Sequence, residues 1–156
     1  MSEDPLQLLY QEILLDHNKR PRHYGLLDQH THYAEGVNSL CGDQLELTLQ
    51  IEEEKISAIS FEASACAICK ASTSILAEAL LGRSLDDARA IQARAIDLLE
   101  GAQDPDPQKD GDFVALAGVS RFPARIKCAT LPWHTFQSAI KRGFAPADGN
   151  VSAPDK

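Results

Sequence analysis

Four residues with metal-binding side chains, Cys41, Asp43, Cys66 and Cys128, constrain this 156-residue chain more than any other feature. They come from separate segments, so they can act together only if the fold brings those segments to one place. Thiolate sulfur with carboxylate oxygen is a plausible tetrahedral zinc set. The same donors can also hold iron and sulfide, or accept a sulfur atom, because a carboxylate is easily displaced beside thiolates. On its own, each cysteine would more often be a buried packing residue.

The composition is typical of one soluble globular domain, with 44% apolar and 24% charged residues. A formal net charge of -8 argues against nucleic acid as a partner, since phosphate is bound with Lys and Arg. The acidic start lacks the layout of a signal peptide, and no apolar run approaches the roughly 20 residues of a membrane span. We therefore expect a cytoplasmic protein with neither a nucleic-acid nor a membrane partner. In that reducing compartment four cysteines are ligands or reactive thiols rather than disulfides.

The hydrophobic pattern predicts an α+β fold, in which a small antiparallel sheet of about three strands packs against an N-terminal helix and several C-terminal helices. The predicted elements are a helix at 5–20, strands at 44–51 and 56–61, helices at 66–81 and 84–100, a short apolar element at 113–119 and a helix at 123–142. Pro132 lies inside the last helix and predicts a kink or split there. We expect residues 1–144 to form one domain and residues 145–156 to form a flexible tail.

Two polar segments interrupt this pattern. Four of the five histidines, at positions 17, 23, 30 and 32, lie at or before the loop after the first helix. Their spacing is irregular, so we interpret them as solvated loop residues rather than metal ligands. The second segment, Gly101 to Asp112, is predicted to be a turn-rich acidic loop.

Each candidate ligand falls at a boundary between predicted elements. Gly42 allows the sharp bend by which Cys41 and Asp43 can face one point. Cys66 lies at a helix N-terminus, where unpaired N–H groups and the helix dipole stabilise a thiolate.

The remaining candidates lie near the last helix or one turn after Cys66. Cys128 follows Pro123 within the first turns of a helix, so we expect it to gain the same stabilisation. Arg125, three residues earlier, can lie on the same face and place positive charge near a bound anion, with a solvated surface position as the alternative. Cys69 forms a CxxC arrangement with Cys66, but its flanks do not match a thioredoxin-type pair. Core packing is therefore the favoured interpretation, with metal or sulfur binding as the alternative.

Short motifs surround all of these positions. They are Tyr10, Asp16-His17, Pro21-Arg22, Gly36-Val37-Asn38, Cys41-Gly42-Asp43, Ile59, Phe61, Ala65-Cys66, Ala71-Ser72 and Arg125-Ile126-Lys127-Cys128-Ala129. Their combination resembles the U-type iron–sulfur cluster assembly family, which includes IscU, the N-terminal domain of NifU, and SufU. The resemblance covers about residues 8–142 and is specific only as a combination.

Two features resemble the SufU branch of that family. The interval between Cys66 and Cys128 is long and includes the second polar segment, and Lys127 stands where IscU-like proteins carry a histidine. The SufU-like resemblance implies Zn²⁺ held by the three cysteines and Asp43, with Cys41 as the sulfur acceptor.

The same resemblance implies partners and a reaction. The partners would be a SufS-like cysteine desulfurase, which supplies persulfide sulfur, and a downstream iron–sulfur scaffold complex, which receives it. Arg125 would neutralise Asp43 or a transient persulfide anion. One alternative is a scaffold that assembles and transfers a [2Fe–2S] cluster or holds iron. Another is a purely structural zinc domain.

The chain departs from the family pattern at four places without losing a ligand. No proline follows Asn38, and Ala63-Ser64-Ala65 replaces a glycine-rich approach to the second cysteine. Cys69 stands where a small residue, often serine, is usual, and Pro132 is unexpected in the last helix.

Overall fold

The computed structural model describes residues 5–39, 42–142 and 151–152, and it confirms the predicted α+β class. In chain order the elements are α1 (Pro5–Lys19), β1 (His32–Asn38), β2 (Asp43–Glu52), β3 (Lys55–Ser64), α2 (Ala67–Leu80), α3 (Leu85–Glu100), α4 (Pro107–Asp110), a 3-10 turn (Gly111–Phe113), α5 (Val114–Val119), α6 (Pro123–Arg142) and β4 (Val151–Ser152).

The sheet has the strand order β3-β2-β1-β4. β2 pairs antiparallel with both β1 and β3, whereas the two-residue strand β4 pairs parallel with β1. Glu53 and Glu54 connect β2 to β3 with left-handed φ values of 52° and 64°. This is the conformation that a two-residue type I′ hairpin turn requires. The predicted tail at 145–156 stays a prediction, because apart from β4 its residues lie outside those described.

Large apolar side chains on one face of the sheet form the core with the helices. Leu45, Leu47 and Leu49 of β2 alternate inward as predicted and are at most 1% exposed. They belong to one buried cluster with Trp133 and Phe136 of α6. Each such burial contributes about 1.5–3 kcal/mol, so α6 is held firmly against the sheet.

A glycine lets α6 approach β1 closely. A Cβ atom on Gly36 would overlap Thr135 Oγ1 and would lie 3.1 Å from Leu131 Cδ1. This contact also explains why the sequence pattern predicts a polar loop where the structure has β1. The inward positions of β1 include Ala34 and Gly36, which are small because α6 is near, and the polar Asn38, so no alternation of large apolar residues marks the strand.

α6 runs without interruption through Pro132, so the helix does not split there. Pro132 has no N–H for the carbonyl one turn earlier. Contacts with α2 support this part of the helix: Ser72 Oγ donates to the Ala129 carbonyl at 2.7 Å and accepts from the Trp133 indole at 3.0 Å. Over the described parts of the chain, no helix is long and apolar enough to cross a membrane.

The second polar segment is more ordered than a turn-rich loop, since it contains α4 and the 3-10 turn. Arg94 of α3 anchors it. The guanidinium donates two hydrogen bonds to the Asp110 carboxylate, at 2.7 and 3.1 Å, and one to Gln103 Oε1 at 2.6 Å. These hydrogen bonds from Arg94 hold the pKa of Asp110 below its usual range. The sequence pattern did not indicate this anchor, because Arg94 lies on an otherwise ordinary amphipathic helix.

Candidate metal centre

The structure brings together three of the four predicted ligands. The ligand atoms of Asp43, Cys66 and Cys128 all lie within 4.8 Å of one another, and we call these residues the thiolate cluster. They come from the start of β2, the residue before α2, and α6. Cys41, the fourth predicted ligand, lies outside the described residues, and its role stays a prediction.

The carboxylate of Asp43 is the most informative group in the thiolate cluster. The side chain is fully buried, and Oδ1 accepts the backbone N–H of Cys66 at 2.9 Å. Oδ2 is also buried but has no hydrogen-bond partner among the described residues. A buried carboxylate oxygen without a partner is costly, and a bound cation would offset that cost. Because the neighbouring donors are two cysteine sulfurs, the set fits zinc.

Cys66 is the N-cap residue of α2, as predicted. Its backbone is extended, with φ -68° and ψ 165°, and Sγ accepts the N–H of Cys69 at 3.4 Å. One of the first N–H groups of the helix therefore points toward the sulfur, an arrangement that stabilises negative charge. The thiol is half-buried, so it lies between the core and the surface.

Cys128 is fully buried and is held differently from the sequence-based expectation. It is the sixth residue of α6, beyond the first turn to which the effect of a helix terminus is confined. Instead the Asn38 side-chain amide donates to Sγ at 3.9 Å. Asn38 ends β1 directly opposite Asp43, so the strand register places this amide beside the thiolate cluster. The sequence motifs gave Asn38 no role of its own, although its place three residues before Cys41 and five before Asp43 was an available signal.

Arg125 is exposed on the first turn of α6. Within the described residues it makes no ion pair shorter than 4.0 Å, so the structure does not pair it with Asp43. Its expected role toward a persulfide anion stays a prediction.

Comparison with known proteins shows which family the chain belongs to. The NifU-like N-terminal domain family matches residues 9–129. The chain belongs to this family. The resemblance to U-type iron–sulfur cluster assembly proteins is thereby confirmed.

This NifU-like domain is similar both to relatives named as scaffold proteins and to one named as a sulfurtransferase. The "Iron-sulfur cluster assembly scaffold protein IscU" of Streptococcus pyogenes is 39% identical over 145 residues, which cover 91% of this chain and 89% of the relative. The "Zinc-dependent sulfurtransferase SufU" of Bacillus subtilis is 35% identical over 144 residues, which cover 92% and 95%. A solved structure of a putative SUF-system scaffold protein from Fervidobacterium islandicum has a TM-score of 0.77 at 29% identity, covering 86% and 98%.

Cys69 of this NifU-like domain packs in the core. Its side chain is fully buried beside Cys128 and Leu131. Its sulfur does not join the group of ligand atoms within 4.8 Å formed by the thiolate cluster. The arrangement agrees with the packing interpretation, although Cys69 packs in the same buried group as Cys128, with Cys66 against it.

A second group of possible ligands lies toward the C-terminal end of α2, away from Cys66 at its N-cap. His17, Glu78 and Asp112, which we call the histidine cluster, have ligand atoms within 4.8 Å of one another. The prediction that His17 is a solvated loop residue is wrong, because it lies in α1 and is fully buried. His23 is exposed, as predicted, whereas His30 and His32 are half-buried.

Proposed function

We propose that this chain is a cytoplasmic, zinc-binding sulfur acceptor of iron–sulfur cluster assembly. It would take persulfide sulfur from a SufS-like cysteine desulfurase and pass it to a downstream iron–sulfur scaffold complex. The observation that carries the proposal is the buried Asp43 Oδ2, which lacks a hydrogen-bond partner among the described residues and lies beside two cysteine sulfurs. The 35% identity to a protein named a zinc-dependent sulfurtransferase supports it.

The proposed metal ligands are Cys41, Asp43, Cys66 and Cys128. Zinc would keep the thiols deprotonated without a redox change of its own. Asp43 is anchored to the N-terminus of α2 through the N–H of Cys66, so its position does not depend on Cys41. Gly42, between Cys41 and Asp43, has a left-handed φ of 74°, which other residues adopt only with strain.

Sulfur transfer would proceed as an exchange between sulfur atoms. The Cys41 thiolate attacks the terminal sulfur of the desulfurase persulfide, and a new S–S bond forms on Cys41. The S–S bond of the donor breaks, and the desulfurase cysteine leaves as a thiolate, with no net oxidation. Arg125 is the exposed cation one turn before Cys128, and it would stabilise the new persulfide anion.

Desulfurase turnover with cysteine as substrate tests the proposal. We expect the zinc-loaded wild type to stimulate turnover strongly and Cys41→Ala to abolish stimulation. Cys69→Ser is the matched control, because it removes a thiol outside the thiolate cluster, and it should retain most of the stimulation. Mass spectrometry should find the added sulfur on Cys41.

The opposite outcome would favour the scaffold alternative. Little stimulation by the wild type, together with an iron–sulfur absorption band that survives gel filtration, would contradict sulfur acceptance. It would instead support a scaffold that assembles and transfers a [2Fe–2S] cluster; the streptococcal relative is named an iron–sulfur cluster assembly scaffold protein.

A further inference from the structure

We propose that the histidine cluster is a second metal site, separate from the thiolate cluster, for a divalent cation such as Mn²⁺ or Fe²⁺. Its ligands would be one imidazole nitrogen, from His17, and two carboxylate oxygens, from Glu78 and Asp112. The site does not depend on the proposed sulfur transfer, because none of these residues belongs to the thiolate cluster.

Three separate elements place the donor atoms together. His17 lies in α1, Glu78 in α2 and Asp112 in the 3-10 turn. His17 Nε2 lies 2.7 Å from Asp112 Oδ2 and 3.8 Å from Glu78 Oε1. The imidazole of His17 is buried, whereas the side chains of Asp112 and Glu78 are 44% and 50% exposed. A hydrated ion can therefore reach the cluster from solvent past the two carboxylates.

The imidazole is held in the orientation that a metal ligand needs. Its other nitrogen, Nδ1, lies 2.7 Å from Ser74 Oγ, and that oxygen also accepts the backbone N–H of Arg22 at 2.8 Å. These contacts fix the ring so that Nε2 points at the carboxylates. A hydrogen bond to the second nitrogen is the usual way in which proteins orient a ligating histidine.

The charges around the cluster favour a cation. Among the described residues, His17 is the only basic group within 4.0 Å of Asp112. Arg22 interacts electrostatically with both carboxylates, but it reaches Glu78 only at 3.9 Å, and its shorter ion pair, 2.7 Å, is with Asp16. Negative charge at the two carboxylates is therefore only partly balanced, and a divalent ion would balance it.

The geometry requires a small opening when an ion binds. At 2.7 Å, His17 Nε2 and Asp112 Oδ2 are bridged by a proton. A metal ion would replace that proton, which would leave to solvent. Bond lengths of about 2.0–2.2 Å separate neighbouring ligand atoms by about 3 Å or more, so the Nε2–Oδ2 distance must increase slightly. An adjacent cavity of about 180 Å³, with Glu78 and Asp112 in its wall, leaves room for ligand waters.

The donor set distinguishes this site from the thiolate cluster. Nitrogen and carboxylate oxygen without sulfur are harder ligands, which suit Mn²⁺ and Fe²⁺, whereas cysteine sulfur favours zinc. The two clusters would therefore hold different metals in one molecule.

Titration with Mn²⁺, followed by electron paramagnetic resonance, tests the site. The protein is first loaded with one equivalent of zinc and freed of excess zinc, so that the thiolate cluster is filled and zinc does not compete with Mn²⁺ for the histidine cluster. We expect one bound Mn²⁺ per chain, with nitrogen coupling from His17, and at least tenfold weaker binding in Asp112→Asn. The matched control is Asp104→Asn, which removes an exposed carboxylate of the same polar segment outside the cluster, and it should bind like the wild type.

Either of two results would overturn the proposal: no saturable Mn²⁺ binding by the wild type, or equal binding by wild type and Asp112→Asn. Glu78→Gln provides a second variant with the half-exposed ligand removed, should Asp112→Asn fold poorly, and it should also weaken binding at least tenfold. Failure of desulfurase stimulation would leave these results unchanged, so the two proposals can fail separately.

Discussion

The thiolate cluster and the histidine cluster differ in how well their polar atoms are satisfied without an ion. In the thiolate cluster, Asp43 Oδ2 is buried and has no hydrogen-bond partner within the described chain. In the histidine cluster, both nitrogens of His17 are paired, and the two carboxylates reach solvent. The difference indicates that a metal at the first cluster offsets a cost already present in the fold. At the second it would replace interactions that are already favourable.

The largest expected difference between the two clusters is the change in Tm when the metal is removed from each. Structural zinc contributes apparent binding energies of roughly 10 kcal/mol or more, so we expect chelation of zinc to lower Tm by about 10 °C or more. Addition or removal of Mn²⁺ in zinc-loaded protein should shift Tm by only about 2 °C. The shift is small because, without the ion, the hydrogen bond between His17 and Asp112 takes its place. Differential scanning calorimetry measures both. Equal changes in Tm on removal of zinc and of Mn²⁺ would contradict the proposed difference between the two clusters.

Gly36→Ala should weaken the thiolate cluster through the contact between α6 and β1. The added methyl group would overlap Thr135 Oγ1, and overpacking of this kind costs about 1–3 kcal/mol in the free energy of unfolding. The shift of α6 should also reduce zinc affinity, since Cys128 lies on that helix, but leave Mn²⁺ binding unchanged. Chemical denaturation and zinc competition measure the two effects.

A double variant controls for this interpretation. Thr135→Ala removes the oxygen that a Cβ atom at position 36 would meet, so it should restore part of the stability of Gly36→Ala. If the two substitutions are additive instead, the loss does not arise from this contact.

Asp43→Asn should have opposite effects in the metal-free and zinc-loaded protein. The amide keeps an acceptor for the N–H of Cys66 but removes a buried charge, so we expect metal-free Asp43→Asn to be about 1–2 kcal/mol more stable than metal-free wild type. The same variant should gain little from zinc. Asp112→Asn is the matched control, and it should not stabilise the metal-free protein. If metal-free Asp43→Asn is less stable than metal-free wild type, Asp43 Oδ2 has a favourable partner in the metal-free protein, and the comparison between the clusters is wrong.

The two clusters also differ in how far sequence could predict them. The thiolate cluster follows from motifs at element boundaries, and the β2–β3 hairpin from the alternation of large apolar residues such as Leu45 and Leu47. The histidine cluster joins His17 to Glu78 and Asp112, which are 61 and 95 residues away, and no local periodicity indicates such pairs. One signal was present, since His17 continues the apolar stripe of α1 from Ile13 and Leu14 and so faces inward.

The strand β1 and the ordered segment from 101 to 112, neither of which the sequence pattern predicts, have the same physical cause. β1 presents small residues inward because α6 is close, and the segment from 101 to 112 is ordered by Arg94, a residue outside it. In both, a distant element determines the local structure. Local sequence patterns therefore predict the helices and the β2–β3 hairpin better than the segments whose structure depends on contacts with distant elements.

The smallest effect concerns the ion pair between Arg94 and Asp110, which holds the segment that carries Asp112. Hydrogen bonds from Arg94 lower the pKa of Asp110, so its contribution to stability is present above the unfolded pKa of about 4 and is lost as pH falls through the lower, folded value. We expect Asp110→Asn to lower Tm by about 2 °C at neutral pH, with the difference from wild type shrinking as the pH falls below about 4. Asp28→Asn, an exposed substitution, should show no such pH dependence. Because Asp110 positions the turn with Asp112, the same variant should weaken Mn²⁺ binding slightly and leave zinc retention unchanged. A Tm difference that stays constant from neutral to acid pH would exclude this ion pair as the anchor.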